Sequence, residues 1–285
     1  MNTNVSFNSW AKFSSWQSVS PPSRPAKWQL SEVEKTIENL PRSKPVAVLG
    51  STIEFRDLLA EMGFEKVFVF ERNKGFFDYI TPYAKNKDRL SEVMIEGNWI
   101  DTLPQYDNFF YAILSDLTSG NIPYASRDKF YKGVSGALID GGVYVDRVLT
   151  NETSYYSLDE LVKKYSHMQI NNHSVNSFNC EVLFCSTLLN NSNVVDSSKF
   201  YDYLLSLGDK RINSFVKACY DITPRDCKWW YGKPWKQEFN RYTRYFDVCS
   251  TVAEPAYSEY YGRARLMISE KKHELSGKMI RAKIS

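Results

Sequence analysis

The chain lacks the features that mark membrane, secreted and nucleic-acid-binding proteins. No apolar run approaches the ~20 residues of a membrane span, and the N-terminal stretch MNTNVSFNSWAKFSSW has no apolar segment of the secretory kind. The 36 basic residues barely outnumber the 33 acidic ones, and the resulting net charge of +3 does not favour a nucleic-acid partner. We therefore expect a soluble, cytoplasmic protein without a membrane segment.

Cysteine is scarce as well, and its pattern argues against a disulfide framework or a zinc site. The count of five is odd and no C-x-x-C pair occurs, so we expect reduced thiols and no metal site. Aromatic residues are plentiful at 15%, which fits a core built on large rings or an aromatic-lined pocket. The cysteines are Cys180, Cys185, Cys219, Cys227 and Cys249.

Strand-length apolar runs alternate with helical patterns from Pro45 onward. This alternation predicts an α/β fold with a doubly wound, mostly parallel sheet. Near the C-terminus, YFDVCSTVAE and RARLMIS are β-rich runs that predict an antiparallel pair, which would complete a seven-stranded sheet. The five runs of the parallel part are VAVLG, KVFVFE, SEVMIEG, FFYAILSD and GVYVDRVL.

The chain divides into four predicted segments. An N-terminal arm and helix at 1–44 would serve as a lid, and 45–150 would form the binding core. A mainly helical insert at 151–235 would supply a substrate pocket. The remainder, 236–285, would add a helix, the antiparallel strand pair and a basic tail.

Two capping-box patterns predict where helices begin. Ser31 with Glu34 stands at the start of LSEVEKTIENL, and Ser157 with Glu160 stands at the start of SLDELVKKY. In such a pair, the serine and glutamate side chains satisfy backbone N–H groups that have no partner inside the helix. We therefore expect one helix to begin at each serine.

The stretch VAVLGSTIEFRD indicates a ligand site. Its strand ends at Gly50 and runs directly into a helix, a layout that places ligands at the carboxyl edge of an α/β sheet. Only one glycine is present, where a pyrophosphate-binding loop needs about three. Glu71 ends the second strand, where a carboxylate can accept hydrogen bonds from both ribose hydroxyls. A ribose without phosphates fits S-adenosylmethionine (SAM). These two residues alone are equally compatible with a plain strand–helix turn and a surface glutamate.

Further stretches follow in a consistent order, and together they carry a family resemblance. They are PPSRP before the turn LGSTIE, GNW after the third strand, SDLTSG after the fourth, and IDGG with Arg147 in the fifth. In these stretches the chain resembles the class I SAM-dependent methyltransferases, in particular a subgroup with a Pro-Trp-Arg-Pro arm and a Leu-Gly-x-Thr-Pro-Glu turn. The resemblance covers roughly residues 10–150. It implies SAM as the cofactor and methyl transfer as the activity.

The resemblance also implies a set of cofactor contacts. Glu71 would hold the ribose, while Asn98 and Trp99 would hold and cover the adenine. Asp116 would lie beside the methionine amino group, where it is also the best-placed carboxylate to act as a catalytic base. The other implied contacts are Gly50 and Ser51 at the methionine moiety, Arg72 beside the adenosine, and Arg24 folding over the cofactor from the arm.

Several motif positions depart from the subgroup. Asn98 replaces an Asp but can still bond an adenine amino group, whereas the bulky Leu117 replaces a Gly and narrows the space near the reacting methyl. The other departures are Ser23 for Trp, Ile53 for Pro and Asp140 for Pro.

Some side chains have both a structural and a functional interpretation. His167 and His173 have a claim to catalysis, with His173 taken as the second catalytic candidate, although either can be a surface residue. Arg147 is interpreted as a structural ion pair. The aromatic cluster CKWWYGKPW would either line the substrate pocket or anchor the insert.

The leading hypothesis is methyl transfer to a small-molecule acceptor by metal-free, in-line displacement. The residues SDLT stand where amino-group methylases of bases carry an Asn/Asp-Pro-Pro-Tyr/Phe motif, and no Pro-Cys dipeptide of a cytosine C5 methylase occurs. Two alternatives stay open. One is a SAM-consuming enzyme that releases methylthioadenosine by cyclisation or elimination, and the other is a non-catalytic SAM-binding regulator. The oligomeric state is left open.

Overall fold

A central sheet and the helices packed on it form the protein's core. The computed structural model describes residues 16–89, 91–150, 155–189, 194–223, 225–231 and 233–272. The nine strands of this part of the chain are β1 (Val46–Leu49), β2 (Val67–Glu71), β3 (Glu92–Glu96), β4 (Phe110–Asp116), β5 (Leu138–Leu149), β6 (Val195–Asp196), β7 (Lys228–Trp229), β8 (Phe246–Ala253) and β9 (Ala264–Lys271).

Seven of these strands make one sheet in the order β3-β2-β1-β4-β5-β9-β8. Strands β1 to β5 are parallel, and β9 runs antiparallel to both β5 and β8. The predicted fold class, a doubly wound and mostly parallel seven-stranded sheet, is confirmed. The order reverses between β1 and β4, which is the switch point where ligands of open α/β sheets bind.

Ten α-helices surround the sheet or belong to the insert. They are α1 (Lys27–Ile37), α2 (Ile53–Glu61), α3 (Lys74–Ile80), α4 (Trp99–Thr102), α5 (Arg127–Ala137), α6 (Leu158–Ser166), α7 (Asn172–Cys185), α8 (Ser197–Ser206), α9 (Lys210–Cys219) and α10 (Trp235–Tyr242), counted over the residues that the structure describes. None of these helices is long and apolar enough to cross a membrane.

Apolar alternation along the strands fills both faces of the sheet. In β1, Val46 and Val48 pack with α1 and α2, while Ala47 and Leu49 pack with α5. A parallel sheet covered on both faces needs strands that are apolar throughout, and all four β1 residues are buried. The helices of the insert have a separate cluster, which also takes in Trp16 from the arm.

The register of the strands brings their carboxyl ends to one edge. Leu49 of β1 lies opposite Phe70 of β2 and Ser115 of β4. Asp116, the last residue of β4, lies opposite Arg147 of β5. The turn at Gly50 therefore lies close to the last residues of the neighbouring strands.

The helix expected to begin at Ser31 begins earlier. Helix α1 starts at Lys27, its N-cap residue Ala26 has no side-chain hydrogen bond, and Ser31 lies inside the helix. The early start brings the buried Gln29 onto the same helical stripe as Val33 and Ile37, four residues apart. The capping box predicted at Ser157 and Glu160 is present at the start of α6.

The insert is mainly helical but also contains a short antiparallel pair, β6 with β7, which the sequence patterns did not indicate. Strand β7 lies in the aromatic cluster at 227–235. The segment boundaries 1–44, 45–150, 151–235 and 236–285 stay predictions. Residues 1–15 of the arm and the basic tail from residue 273 lie outside the described residues.

Candidate functional site

The turn after β1 requires a residue without a side chain. Gly50 has a φ of +83°, in the left-handed region that favours glycine. Its N–H donates to the carbonyl of Phe70 at 2.8 Å, which ties the turn to the end of β2. A Cβ at this position would lie 4.0 Å from the Trp99 ring. The turn is thus held between the end of β2 and the Trp99 ring, and at Gly50 it offers backbone without a side chain.

Glu71 ends β2 beside this turn and is 7% exposed. Its carboxylate accepts a hydrogen bond from the Ser51 hydroxyl at 2.9 Å and another from the Asn73 backbone N–H at 2.9 Å. Burial raises the pKa of Glu71, because a charged carboxylate is costly to remove from water. The geometry presents a fixed carboxylate that can accept further hydrogen bonds from a ligand.

Trp99 and Asn98 follow β3 and take different places. The Trp99 indole N–H donates to the carbonyl of Phe70 at 2.8 Å, and the ring borders the Gly50 turn. Asn98 is the N-cap of α4, where its side-chain oxygen accepts from the Ile100 N–H at 3.3 Å. Trp99 therefore forms a wall beside the turn, while the amide oxygen of Asn98 already has a partner in the helix.

Asp116 belongs to a buried network of polar side chains at the end of β4. Its Oδ1 lies 3.0 Å from the Arg147 guanidinium and accepts from the Gln29 amide at 2.9 Å. Arg147 is fully buried, forms a second ion pair with Glu254 at 3.4 Å, and donates to the carbonyl of Pro22 in the arm. Arg147 is thus a structural ion-pair residue, and it joins the arm, β4 and the residue that follows β8.

A cavity of about 230 Å³ opens over these strand ends. It brings together Gly50, Ser51, Glu71, Trp99 and Asp116, which were all predicted as site residues. The arm and the insert close its other sides. The remaining lining residues are Trp16, Val19, Ser23, Leu49, Thr52, Asn73, Phe76, Ile80, Leu117, Thr118, Asn121, Asn179, Phe184, Ile222, Thr223, Trp229, Tyr231 and Tyr260.

Four predicted site residues do not line this cavity. Arg24 forms an ion pair with Glu54 of α2 and lies 5.0 Å from the centre of the Trp16 ring, so it holds the arm in place. Arg72 is half-buried, and burial lowers its pKa. Asn98 caps α4. His173 is exposed in the first turn of α7, and the geometry offers its catalytic role no support. His167, the other histidine considered, is exposed at the end of α6.

Leu117 occupies a backbone conformation that favours glycine. Its φ is +55°, in the left-handed region where a branched side chain is strained. Its N–H donates to the carbonyl of Arg147 at 3.0 Å, and its carbonyl accepts from the Tyr231 hydroxyl at 3.0 Å. Leu117 is therefore held by backbone contacts on both sides, and it lines the cavity.

Sequence patterns did not single out Asn179 and Thr223 of the insert, and they marked Ser23 only as a departure from the arm motif. Ser23 lies 3.2 Å from the Cys180 sulfur, and Asn179 bonds Thr223 across the insert. Only Trp229 and Tyr231 had a signal, in the aromatic cluster at 227–235, and they both line the cavity and pack the insert. Among the described residues, no group of three or more His, Cys, Asp or Glu side chains is placed to hold a metal ion.

Comparisons with known proteins identify the fold. No family model and no curated protein sequence matches the chain. An N-methyltransferase, NodS, from Bradyrhizobium japonicum superposes with a TM-score of 0.53 at 7% identity, over 94% of this chain and 99% of its own. A SAM-dependent methyltransferase from Methanosarcina mazei does so with 0.52 at 11% identity, over 82% and 95%.

A third structure has a different description. A Rhodobacter sphaeroides protein, provisionally described as a Zn-dependent alcohol dehydrogenase, superposes with a TM-score of 0.61 at 16% identity, over 95% of this chain and 100% of its own. At such identities the likeness shows the fold alone. That fold is the mostly parallel seven-stranded sheet of the class I methyltransferases.

Proposed function

We propose that this protein binds SAM at the Gly50 turn and transfers its methyl group to a small-molecule acceptor. The observation that carries the proposal is Glu71, a buried carboxylate fixed at the edge of a turn that has one glycine. A carboxylate there suits two ribose hydroxyls and repels phosphates. The fold agrees with SAM as the cofactor, since the superposed NodS structure was solved with S-adenosylhomocysteine.

The residues present fit this cofactor. Glu71 would accept from the ribose hydroxyls, the Trp99 ring would cover the adenine, and the backbone at Gly50 and Ser51 would border the methionine moiety. Asp116 would accept from the methionine ammonium, because the Arg147 and Gln29 contacts hold its carboxylate at the end of β4. When bound, SAM supplies a methyl group on a positively charged sulfur that leaves as a neutral thioether.

The chain's own contribution to methyl transfer would be enclosure and alignment. The arm and the insert close the cavity over the strand ends, which excludes water and holds an acceptor in line with the methyl group. Asp116 is the only predicted catalytic side chain at the cavity, so a proton lost by the acceptor would pass to Asp116 or to solvent. A catalytic role for His173 stays a prediction.

The decisive test compares Glu71→Gln with Glu96→Gln, in binding of SAM and S-adenosylhomocysteine by calorimetry. Glu96 lies opposite Glu71 on β3 but is exposed and does not line the cavity, so it is a matched control. Loss of charge-assisted hydrogen bonds should weaken binding about tenfold or more in Glu71→Gln and leave Glu96→Gln unchanged.

The same titrations, repeated at lower pH, test the ionised form of the carboxylate. As the pH is lowered through the raised pKa of Glu71, the affinity of the wild-type protein for both ligands should fall, because the protonated acid accepts fewer hydrogen bonds. Equal binding by both variants, or no binding by wild type, would overturn the assignment of the Gly50 turn.

Leu117 favours one alternative chemistry at the same site. Leu117 lines the cavity beside Asp116, and with the resembling subgroup carrying glycine there, its bulk would narrow the space for an acceptor near the methyl. Incubation with SAM alone, followed by mass spectrometry, separates the cases. Intact SAM supports methyl transfer that awaits an acceptor, whereas enzyme-dependent methylthioadenosine would establish cyclisation or elimination. Tight binding without turnover on any acceptor would indicate a regulator.

A further inference from the structure

The part of the cavity built by the insert has the character of a binding site for a flat ring. Phe184 of α7 is half-buried, and three other rings meet it edge to face. The ring centres of Trp229, Tyr231 and Tyr260 lie 5.4, 5.2 and 6.0 Å from that of Phe184, at interplanar angles of 71°, 86° and 81°. Such an arrangement leaves aromatic surface at the cavity for a planar apolar group.

One polar group is fixed among these apolar walls. Asn179 of α7 is 3% exposed, and its side-chain oxygen accepts from the Tyr201 hydroxyl. Its amide nitrogen donates to the Thr223 hydroxyl at 2.9 Å. An amide nitrogen carries two N–H groups, and within the described part of the chain Thr223 alone accepts from this one, so the second N–H remains for a ligand. The contacts with Tyr201 and Thr223 orient the amide before any ligand arrives.

The charge of the lining selects further. Among the described lining residues there is no Lys, Arg or His, and the two carboxylates, Glu71 and Asp116, lie at the strand ends and not in the insert. An anionic acceptor would find no cationic side chain in the lining to pair with, since Arg147 lies behind the cavity and is already paired with Asp116 and Glu254. A cationic acceptor would approach both the N–H of Asn179 and the positive sulfur from which the methyl departs.

We propose that the insert side of the cavity binds a neutral aromatic acceptor carrying a carbonyl-type oxygen, which takes its hydrogen bond from Asn179. The ring lies against Phe184 and its three neighbours. The role of this ligand as a methyl acceptor rests on the proposed function, whereas the preference for binding it depends only on the cavity.

The test uses three probes of nearly equal shape: benzamide, benzoate and benzylammonium. They are respectively neutral, anionic and cationic at pH 7. Their affinities for the full-length protein are measured by saturation-transfer NMR titration, with and without S-adenosylhomocysteine. Benzamide should bind at least about fivefold more tightly than either charged probe. It gains the hydrogen bond from Asn179 without the cost of removing a charge from water.

Variants assign the preference to Asn179. Asn179→Leu should weaken benzamide binding about fivefold, while the matched control Asn172→Leu, exposed on the same helix, should not. Thermal melting checks that each variant is folded. Should Asn179→Leu fail to fold, Phe184→Leu decides: loss of the ring face should weaken benzamide binding about threefold or more.

The outcomes separate the two proposals. Binding of S-adenosylhomocysteine with no preference for benzamide, or with no effect of Asn179→Leu or Phe184→Leu, overturns this inference and leaves the proposed function standing. A benzamide preference that depends on Asn179, without any binding of S-adenosylhomocysteine, supports this pocket and overturns the proposed cofactor. Failure of all three probes to bind overturns the inference.

Discussion

Three acidic residues of the parallel strands show how strongly surroundings determine the behaviour of a carboxyl group. Asp116 has Arg147 and Gln29 as partners, and Glu71 has only neutral hydrogen-bond donors among the contacts described above. Asp146 of β5 is fully buried, and the Ser115 hydroxyl donates to one of its oxygens at 2.8 Å. Its other oxygen has no hydrogen-bond partner among the described residues.

The buried carboxyl group of Asp146 leads us to expect that folding stability depends on pH. Burial raises its pKa to about 7 from an ordinary value of 3.8, so between these values the folded protein holds a proton that the unfolded chain has lost. Stability should therefore fall as pH rises through this window. Asp146→Asn removes the charge, and its gain over wild type in urea unfolding should grow from pH 4 to pH 8, to roughly 4 kcal/mol at most.

Asp247→Asn, on the exposed face of β8, is the control for this series and should show a small gain that does not depend on pH. A constant difference between Asp146→Asn and wild type across pH 4 to 8 would contradict the assignment of a raised pKa to Asp146.

At the scale of elements, two serines with the same sequence signature have different structural roles. Ser157 caps α6: its hydroxyl accepts from the Glu160 N–H at 3.2 Å, and the Glu160 carboxylate accepts from the Ser157 N–H at 2.7 Å. Ser31 lies inside α1, which begins at Lys27. The earlier start places Gln29 within the helix, where its side-chain amide donates to Asp116.

A matched pair of substitutions tests this difference. Ser157→Ala should lower the free energy of unfolding by about 1 kcal/mol through loss of the cap. Ser31→Ala should leave it unchanged or raise it slightly, since alanine has the higher helix propensity. Denaturant unfolding of both variants is the measurement. A loss of similar size in Ser31→Ala would place a helix start at Ser31 and contradict the observed α1.

At the scale of the whole molecule, the insert comes very close to the loop that follows β4. The Trp230 N–H donates to the carbonyl of Gly120 at 2.7 Å, and the Tyr231 hydroxyl donates to the carbonyl of Leu117. A Cβ at Gly120 would lie 2.0 Å from the Tyr231 ring. The absence of a side chain at Gly120 is therefore what lets the insert close the cavity over β4.

Gly120→Ala should displace Tyr231 and cost about 1–3 kcal/mol of stability, as overpacking does in well-packed cores. It should also weaken S-adenosylhomocysteine binding, because the insert would no longer close the cavity. Gly136→Ala is the control: a Cβ there meets nothing within 4 Å, and alanine inside α5 should stabilise by about 0.5–1 kcal/mol. Equal stability of the two variants, measured by thermal and urea unfolding, would refute the close approach.

The sequence by itself determined the layered fold and the position of the Gly50 turn. The apolar composition of runs such as VAVLG and KVFVFE predicts that they are buried strands. The same pattern locates the strand ends at which Gly50 and Glu71 stand. Local signals of this kind depend on neighbours along the chain, so they can be recognised in the sequence alone. The same locality placed the cap of α6 correctly.

Tertiary structure alone decided which distant polar side chains contact one another in and beside the cavity. Asn179 and Thr223, or Gln29 and Asp116, are separated by tens of residues, and no periodicity relates them. It also decided the start of α1, the left-handed backbone at Leu117 and the separation of His173 from the cavity. These features follow from packing between distant segments, whose energy outweighs the local preferences that a sequence pattern expresses.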